Sequence, residues 1–114
     1  MANNNKDEIS ASEFSKFLDS NSPVAILDVR EREEFELTRL ENSTLIPVME
    51  VEDNLELIQS LRTSDEIPLV VLCRSGGRSM QITEVLLSQG FTNVLNLIGG
   101  INELSKFRDE LKAY

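Results

Sequence analysis

The sequence contains one cysteine and no histidine, so the chemistry open to it is narrow. Without histidine it lacks the commonest general base and metal ligand, and a lone thiol cannot form an intramolecular disulfide or a thiolate cluster. The reacting group must be Cys73, a carboxylate, Lys, Ser or Tyr114, with backbone amides and Arg as electrostatic stabilisers. Cys73 heads the segment Cys73-Arg-Ser-Gly-Gly-Arg-Ser79, placed between the apolar run Leu69-Val-Val-Leu72 and a helical pattern starting at about Arg78. A free thiol is only a few per cent thiolate at pH 7, but a helix N-terminus and nearby Arg lower its pKa from ~8.5 to ~3.5–7.5. Gly76 and Gly77 permit positive φ, which can turn successive N–H groups inward as an anion-holding nest. Arg74 and Arg78 flank the thiol and make a positive focus. The bland alternative is a buried small hydrophobe before a chain reversal. Cysteine, two Arg, two Gly and a helix start within one short segment argue against it.

The elements around that loop follow from periodicity. Ser10-Ala-Ser-Glu13 has capping-box spacing, with Phe14, Phe17 and Leu18 following at helical intervals, so a brief extended Glu8-Ile9 leads into a short helix. Val24–Val29 is a continuous apolar run typical of a strand buried on both faces, and it leads into Asp28-Val-Arg30. Arg32–Leu37 reads as a short helix and Thr44–Ile46 as a short strand ended by Pro47. Val51, Leu55, Ile58 and Leu61 mark a helix with acidic residues in its early turns. Leu69–Leu72 is a second buried strand, Met80–Gln89 a helix stopped by Gly90, and Val94–Leu97 a final strand. After Gly99-Gly100, the spacing of Ile101, Leu104, Phe107 and Leu111 predicts a terminal amphipathic helix. Strands alternating with helices predict an α/β domain whose mainly parallel sheet is covered on both faces, with ligands beyond the carboxyl ends of the strands.

Composition sets the remaining bounds. A chain of 114 residues is one domain, expected over residues 8–114 after a flexible tail at 1–7. With 11 Lys plus Arg against 20 Asp plus Glu, the formal charge of −9 repels phosphate backbones, which disfavours nucleic acid as a partner. No apolar run is long enough to span a bilayer and no targeting segment is evident, so no membrane partner and a cytoplasmic address are expected. No metal or cofactor is called for. Gly76-Gly77 and Gly99-Gly100 form neither a dinucleotide fingerprint nor a P-loop.

Three stretches carry a family likeness. Leu27-Asp-Val-Arg-Glu31 with Glu34-Phe35, Cys73-Arg-Ser-Gly-Gly-Arg-Ser79, and Asn96-Leu-Ile-Gly-Gly-Ile101 together resemble the single-domain rhodaneses, over roughly Glu8 to Leu111. The resemblance implies a three-layer α/β/α fold with a mainly parallel central sheet of about five strands. It also implies a sulfurtransferase in which Cys73 takes a sulfane sulfur from a small anionic donor such as thiosulfate, becomes a persulfide, and passes the sulfur to a thiophilic acceptor. That acceptor would be cyanide, a thiol or a protein. Arg74, Ser75, Gly76, Gly77 and Arg78 would hold the persulfide and donor, while Asp28 and Arg30 would support the loop.

The chain departs from the family pattern at Thr38-Arg-Leu40 with Asn42-Ser43, and at Leu104, where Trp is common. These changes bear on the pocket rim, where Arg39 is either an anion contact or a solvent-exposed side chain. The Cys73-x4-Arg78 spacing is short for a phosphatase loop, and a multi-cysteine arsenate reductase would need a second thiol. The alternative from another class is a rhodanese-like interaction or sulfur-relay module with little free thiosulfate activity.

Overall fold

The computed structural model describes residues 7–114. Of the tail expected at residues 1–7, residues 1–6 lie outside them, and Asp7 joins the body through its carbonyl, which accepts the Asn96 N–H at 2.8 Å. Five parallel strands form one sheet: β1 (Glu8–Ile9), β2 (Ala25–Asp28), β3 (Thr44–Leu45), β4 (Leu69–Leu72) and β5 (Val94–Leu97), in the order β1-β5-β4-β2-β3. Central β2 and β4 are buried at every residue, which is why β4 reads as an unbroken apolar run and β2 as one ended by Asp28.

Alternation along β4 divides the core. Leu69 and Val71 face one side with Val29, Val51, Ile58, Ile82 and Leu86, and Cys73 continues their parity into the same cluster. Val70 and Leu72 face the other side with Phe14, Leu97, Ile101, Leu104 and Leu111. Helices α3 (Leu55–Gln59) and α4 (Gly77–Ser88) cover the first face, and α1 (Ala11–Asp19) and α5 (Gly100–Leu104) the second. A short α2 (Arg32–Leu37) follows β2. The three-layer α/β/α expectation holds. The α1 capping box is present, with the Glu13 N–H donating to Ser10 Oγ at 3.1 Å.

Two helices are shorter than their periodicity implied. The Val51–Leu61 stripe follows one 3₁₀ turn at Val48–Glu50 and is itself a second at Glu52–Asn54 and then α3. The Asn54 side chain donates to the Glu50 carbonyl at 2.8 Å, and its backbone leaves helical geometry. The final helix stops at Leu104 rather than continuing to Leu111. Phe107 is half exposed, and Arg108 instead ties the chain to α1 through the Ser15 carbonyl and hydroxyl and Asp19. Leu111 still reaches the core, but from non-helical chain.

The strongest polar anchor is fully buried. All five Arg30 N–H donors are used: Nε and Nη2 on the Asp28 carboxylate, Nη2 on the Thr38 carbonyl at 2.6 Å, and Nη1 on the Glu34 carbonyl and Tyr114 Oη. One guanidinium thus fastens β2, α2 and the Tyr114 segment together. Arg30→Ala would strand a buried carboxylate and should cost about 3–5 kcal/mol. Urea denaturation checks this, and a loss below ~1 kcal/mol would contradict the anchoring role.

Candidate functional site

Cys73 leaves the carboxyl end of β4 with 1% of its surface exposed. Its sulfur accepts the Gly76 N–H at 3.1 Å and the Ser79 N–H at 3.4 Å, and lies 3.3 Å from Ser79 Oγ. Gly76 caps α4 with φ +106°, a conformation that aims its amide at the sulfur, and a Cβ there would press on the Gly99 amide at 3.2 Å. Gly77 has no positive φ and open space around it, so the sequence expectation of two unusual glycines holds for Gly76 alone.

Burial pushes the Cys73 thiol up. Hydrogen bonds from the Ser79 hydroxyl and from the Ser79, Gly76 and Ser75 amides outweigh it, leaving the pKa below the ordinary value. The sequence expectation credits the helix N-terminus and both arginines: hydrogen bonds at the helix N-terminus lead, and Arg78 interacts with Cys73 through its charge.

Both arginines have other partners. Arg78 makes a bidentate ion pair with Glu34 at 2.7 and 3.0 Å, and Arg74 lies over the Tyr114 ring, 5.0 Å from its centroid. Glu34 also accepts the Tyr114 hydroxyl at 3.0 Å and the Glu31 N–H at 2.9 Å. The Arg78 hydrogen bonds hold the Glu34 carboxyl down at about 2, against burial, with help from the Glu31 amide and Tyr114. Arg78 in turn is raised further above its ordinary value, chiefly by Glu34. Among the described residues Asp28 and Arg30 make no hydrogen bond to the loop; they bear on it at one remove, by fixing α2, which carries Glu34. Arg39 is exposed and stacks on Phe35 at 4.9 Å.

The back of the loop is held by α5. The Cys73 and Arg74 carbonyls accept the Ile101 and Asn102 N–H groups at 2.9 and 3.0 Å, and a Cβ at Gly100 would collide with those same carbonyls. Four contributors were not identified from sequence: Ser79, Asn96, Glu34 and Tyr114. Ser79 Oγ also lies 2.5 Å from buried Asn96 Oδ1, which holds the hydroxyl oxygen beside the sulfur; its single proton serves Asn96 or the sulfur, not both at once. Ser79 was already within the quoted loop, and its position in the first turn of the helix was the available signal. The other three come from distant segments. Among the described residues there is no group of three or more His, Cys, Asp or Glu able to hold a metal, and no helix long and apolar enough to cross a membrane.

A nearly buried thiol that accepts backbone amides at the carboxyl end of a parallel strand marks the class, an α/β domain with its candidate site in the loop after the central strand. By its sequence, which matches the Rhodanese-like domain family over residues 10–107, the chain belongs to that family. It is 36% identical over 96 residues to the putative sulfur carrier protein YrkF of Bacillus subtilis, covering 84% of this chain and 49% of that one. It is 35% identical over 95 residues to the adenylyltransferase and sulfurtransferase MOCS3-1 of Zea mays, covering 82% and 20%. The chain therefore spans half or less of these relatives. A rhodanese-like domain protein from Staphylococcus aureus superimposes with a TM-score of 0.77 at 27% identity, covering 94% of this chain and 97% of that one.

Two outcomes are expected. Ser79→Ala should raise the Cys73 pKa, and more than Arg78→Gln does; the pH dependence of iodoacetamide alkylation at this lone thiol reads it directly, and the reverse ranking would return the activation to Arg78. The Glu34 pairing should stabilise the fold fully above the ordinary carboxyl value of 4.5 and fade as pH falls through about 2. The stability gap between wild type and Glu34→Gln should therefore be constant above pH 4.5, narrow between 4.5 and about 2, and vanish below that in urea titrations at stepped pH.

Proposed function

We propose that this domain is a sulfurtransferase working through a Cys73 persulfide. The observation that carries the reading is the convergence of the Gly76 and Ser79 amides and the Ser79 hydroxyl on one buried sulfur. These donors stabilise the thiolate before attack, and the loop amides serve the sulfur chain after it. Relatives named as a sulfur carrier and as sulfurtransferases support the same chemistry.

In the first step the Cys73 thiolate attacks the sulfane sulfur of a donor. With thiosulfate, a new S–S bond forms at Cys73, the donor S–S bond breaks, and sulfite leaves with the bonding pair. In the second step a nucleophile takes the outer sulfur: cyanide becomes thiocyanate, or an acceptor thiolate becomes a persulfide. Cys73 returns as thiolate in either case. These 114 residues hold no second thiol to discharge it, so the acceptor group lies outside this domain. Arg74, Ser75, Gly76, Gly77 and Arg78 form the rim and floor of the loop, with the Ser75 and Gly76 amides as the groups that meet the persulfide. A protein acceptor, and thus a place in a sulfur relay, is the second reading, favoured by the likeness to YrkF. A cytoplasmic setting suits a thiol that must cycle in reduced form.

Thiocyanate formation from a sulfane donor and cyanide tests the proposal. Wild type should turn over and Cys73→Ser should not. Retained turnover in Cys73→Ser would remove the cysteine from the reaction.

A further inference from the structure

The positive charges around Cys73 are almost entirely committed. Arg30 is buried against Asp28, and both terminal nitrogens of Arg78 lie on Glu34. Among the described residues Arg74 alone of these has no carboxylate partner, and it rests on the Tyr114 ring. The Glu34 carboxylate is itself fixed from three sides, by Arg78, the Tyr114 hydroxyl and the Glu31 amide, so its hold on Arg78 does not depend on a floppy surface contact. Exposed Glu31 and Glu33 flank it on the same short turn of chain, within a protein of net charge −9. Two arginines in a signature loop thus leave about one uncompensated positive charge facing an incoming donor.

Resting on the sulfur-transfer reading above, we propose that Glu34 sets donor specificity. By holding Arg78 in a neutral pair it withholds the loop's second positive charge, and the site is built for sulfane-sulfur donors carrying at most one negative charge, such as persulfides and thiosulfonates, rather than the thiosulfate dianion. With a persulfide donor R–S–SH, the Cys73 thiolate attacks the outer sulfur, the donor S–S bond breaks, R–S⁻ leaves with the electron pair, and the proton stays on the transferred sulfur. No oxidant or reductant is consumed.

The test compares two donors with the same sulfane sulfur. Thiosulfate carries two charges; methanethiosulfonate, in which a methyl group replaces one anionic oxygen, carries one. The quantity read is the ratio of kcat/KM for thiosulfate to that for methanethiosulfonate, at low ionic strength with a common acceptor, so that intrinsic donor reactivity cancels between variants. Glu34→Gln keeps an oxygen for the Glu31 amide and should raise the ratio about three- to tenfold, the effect of one freed charge at close range. Adding Arg78→Gln to that variant should return the ratio to the wild-type value. Wild type alone supplies an arm that no folding defect can obscure: its thiosulfate kcat/KM should rise with added salt, because screening relieves repulsion between the dianion and a net negative protein. An unchanged ratio in Glu34→Gln, or a wild-type thiosulfate rate that falls with salt, would overturn the inference while leaving sulfur transfer standing. Failure of Cys73 to accept sulfur from either donor would overturn both.

Discussion

A sulfur anion with almost no contact to solvent needs hydrogen-bond donors in place of water, and the fold around Cys73 is arranged to supply them. Burial alone would keep the thiol protonated. The counterweight is backbone: the Gly76 and Ser79 amides point at the sulfur because Gly76 takes a left-handed conformation at the start of α4. That conformation is stable only while the loop is pinned from behind. The pinning comes from the α5 amides on the Cys73 and Arg74 carbonyls, at an approach so close that only glycine fits at position 100. Strand β4 sets the height of the sulfur, α4 its donors, and α5 the shape of the turn between them.

Side-chain charge plays a different part from the one its proximity suggests. Asp28, Arg30, Glu34, Tyr114 and Arg78 form one connected set running from the buried end of β2 to the loop. Its inner half is structural, since Arg30 has no donor left to offer a ligand. Its outer half restrains Arg78 and, through the Tyr114 ring, faces Arg74. Fixed amide dipoles hold the reacting atom, while the formal charges hold the frame. Such a division suits a site whose cargo is a single sulfur atom rather than a polyanion.

Much of this was legible in the sequence because it depended on local pattern. The five strands, α2, the α1 capping box and the Cys73 loop follow from apolar runs, cap spacing and glycine position. The stripes at Val51–Leu61 and Ile101–Leu111 misled because apolar spacing records which residues reach the core, not the backbone path between them. Leu111 is buried without belonging to a helix, and Val51 and Ile58 are buried across one 3₁₀ turn and the first residues of α3. Glu34 and Tyr114 escaped for another reason. Glu34 sat inside an acidic run that looks like solvated surface, and its partners lie 44 and 80 residues away. No spacing rule reaches across that distance. Asn96 was likewise quoted as part of a strand, and its tie to Ser79 exists only once β5 lies beside β4.

The account stands on Cys73 carrying sulfur. Intact-protein mass spectrometry, after incubating the reducing-agent-free protein with a sulfane donor and again after adding cyanide, measures that without reference to turnover. The predicted result is a gain of one sulfur atom on wild type, absent in Cys73→Ser and removed by cyanide as thiocyanate forms. A folded protein with a free thiol that gains no mass from either thiosulfate or methanethiosulfonate would contradict it.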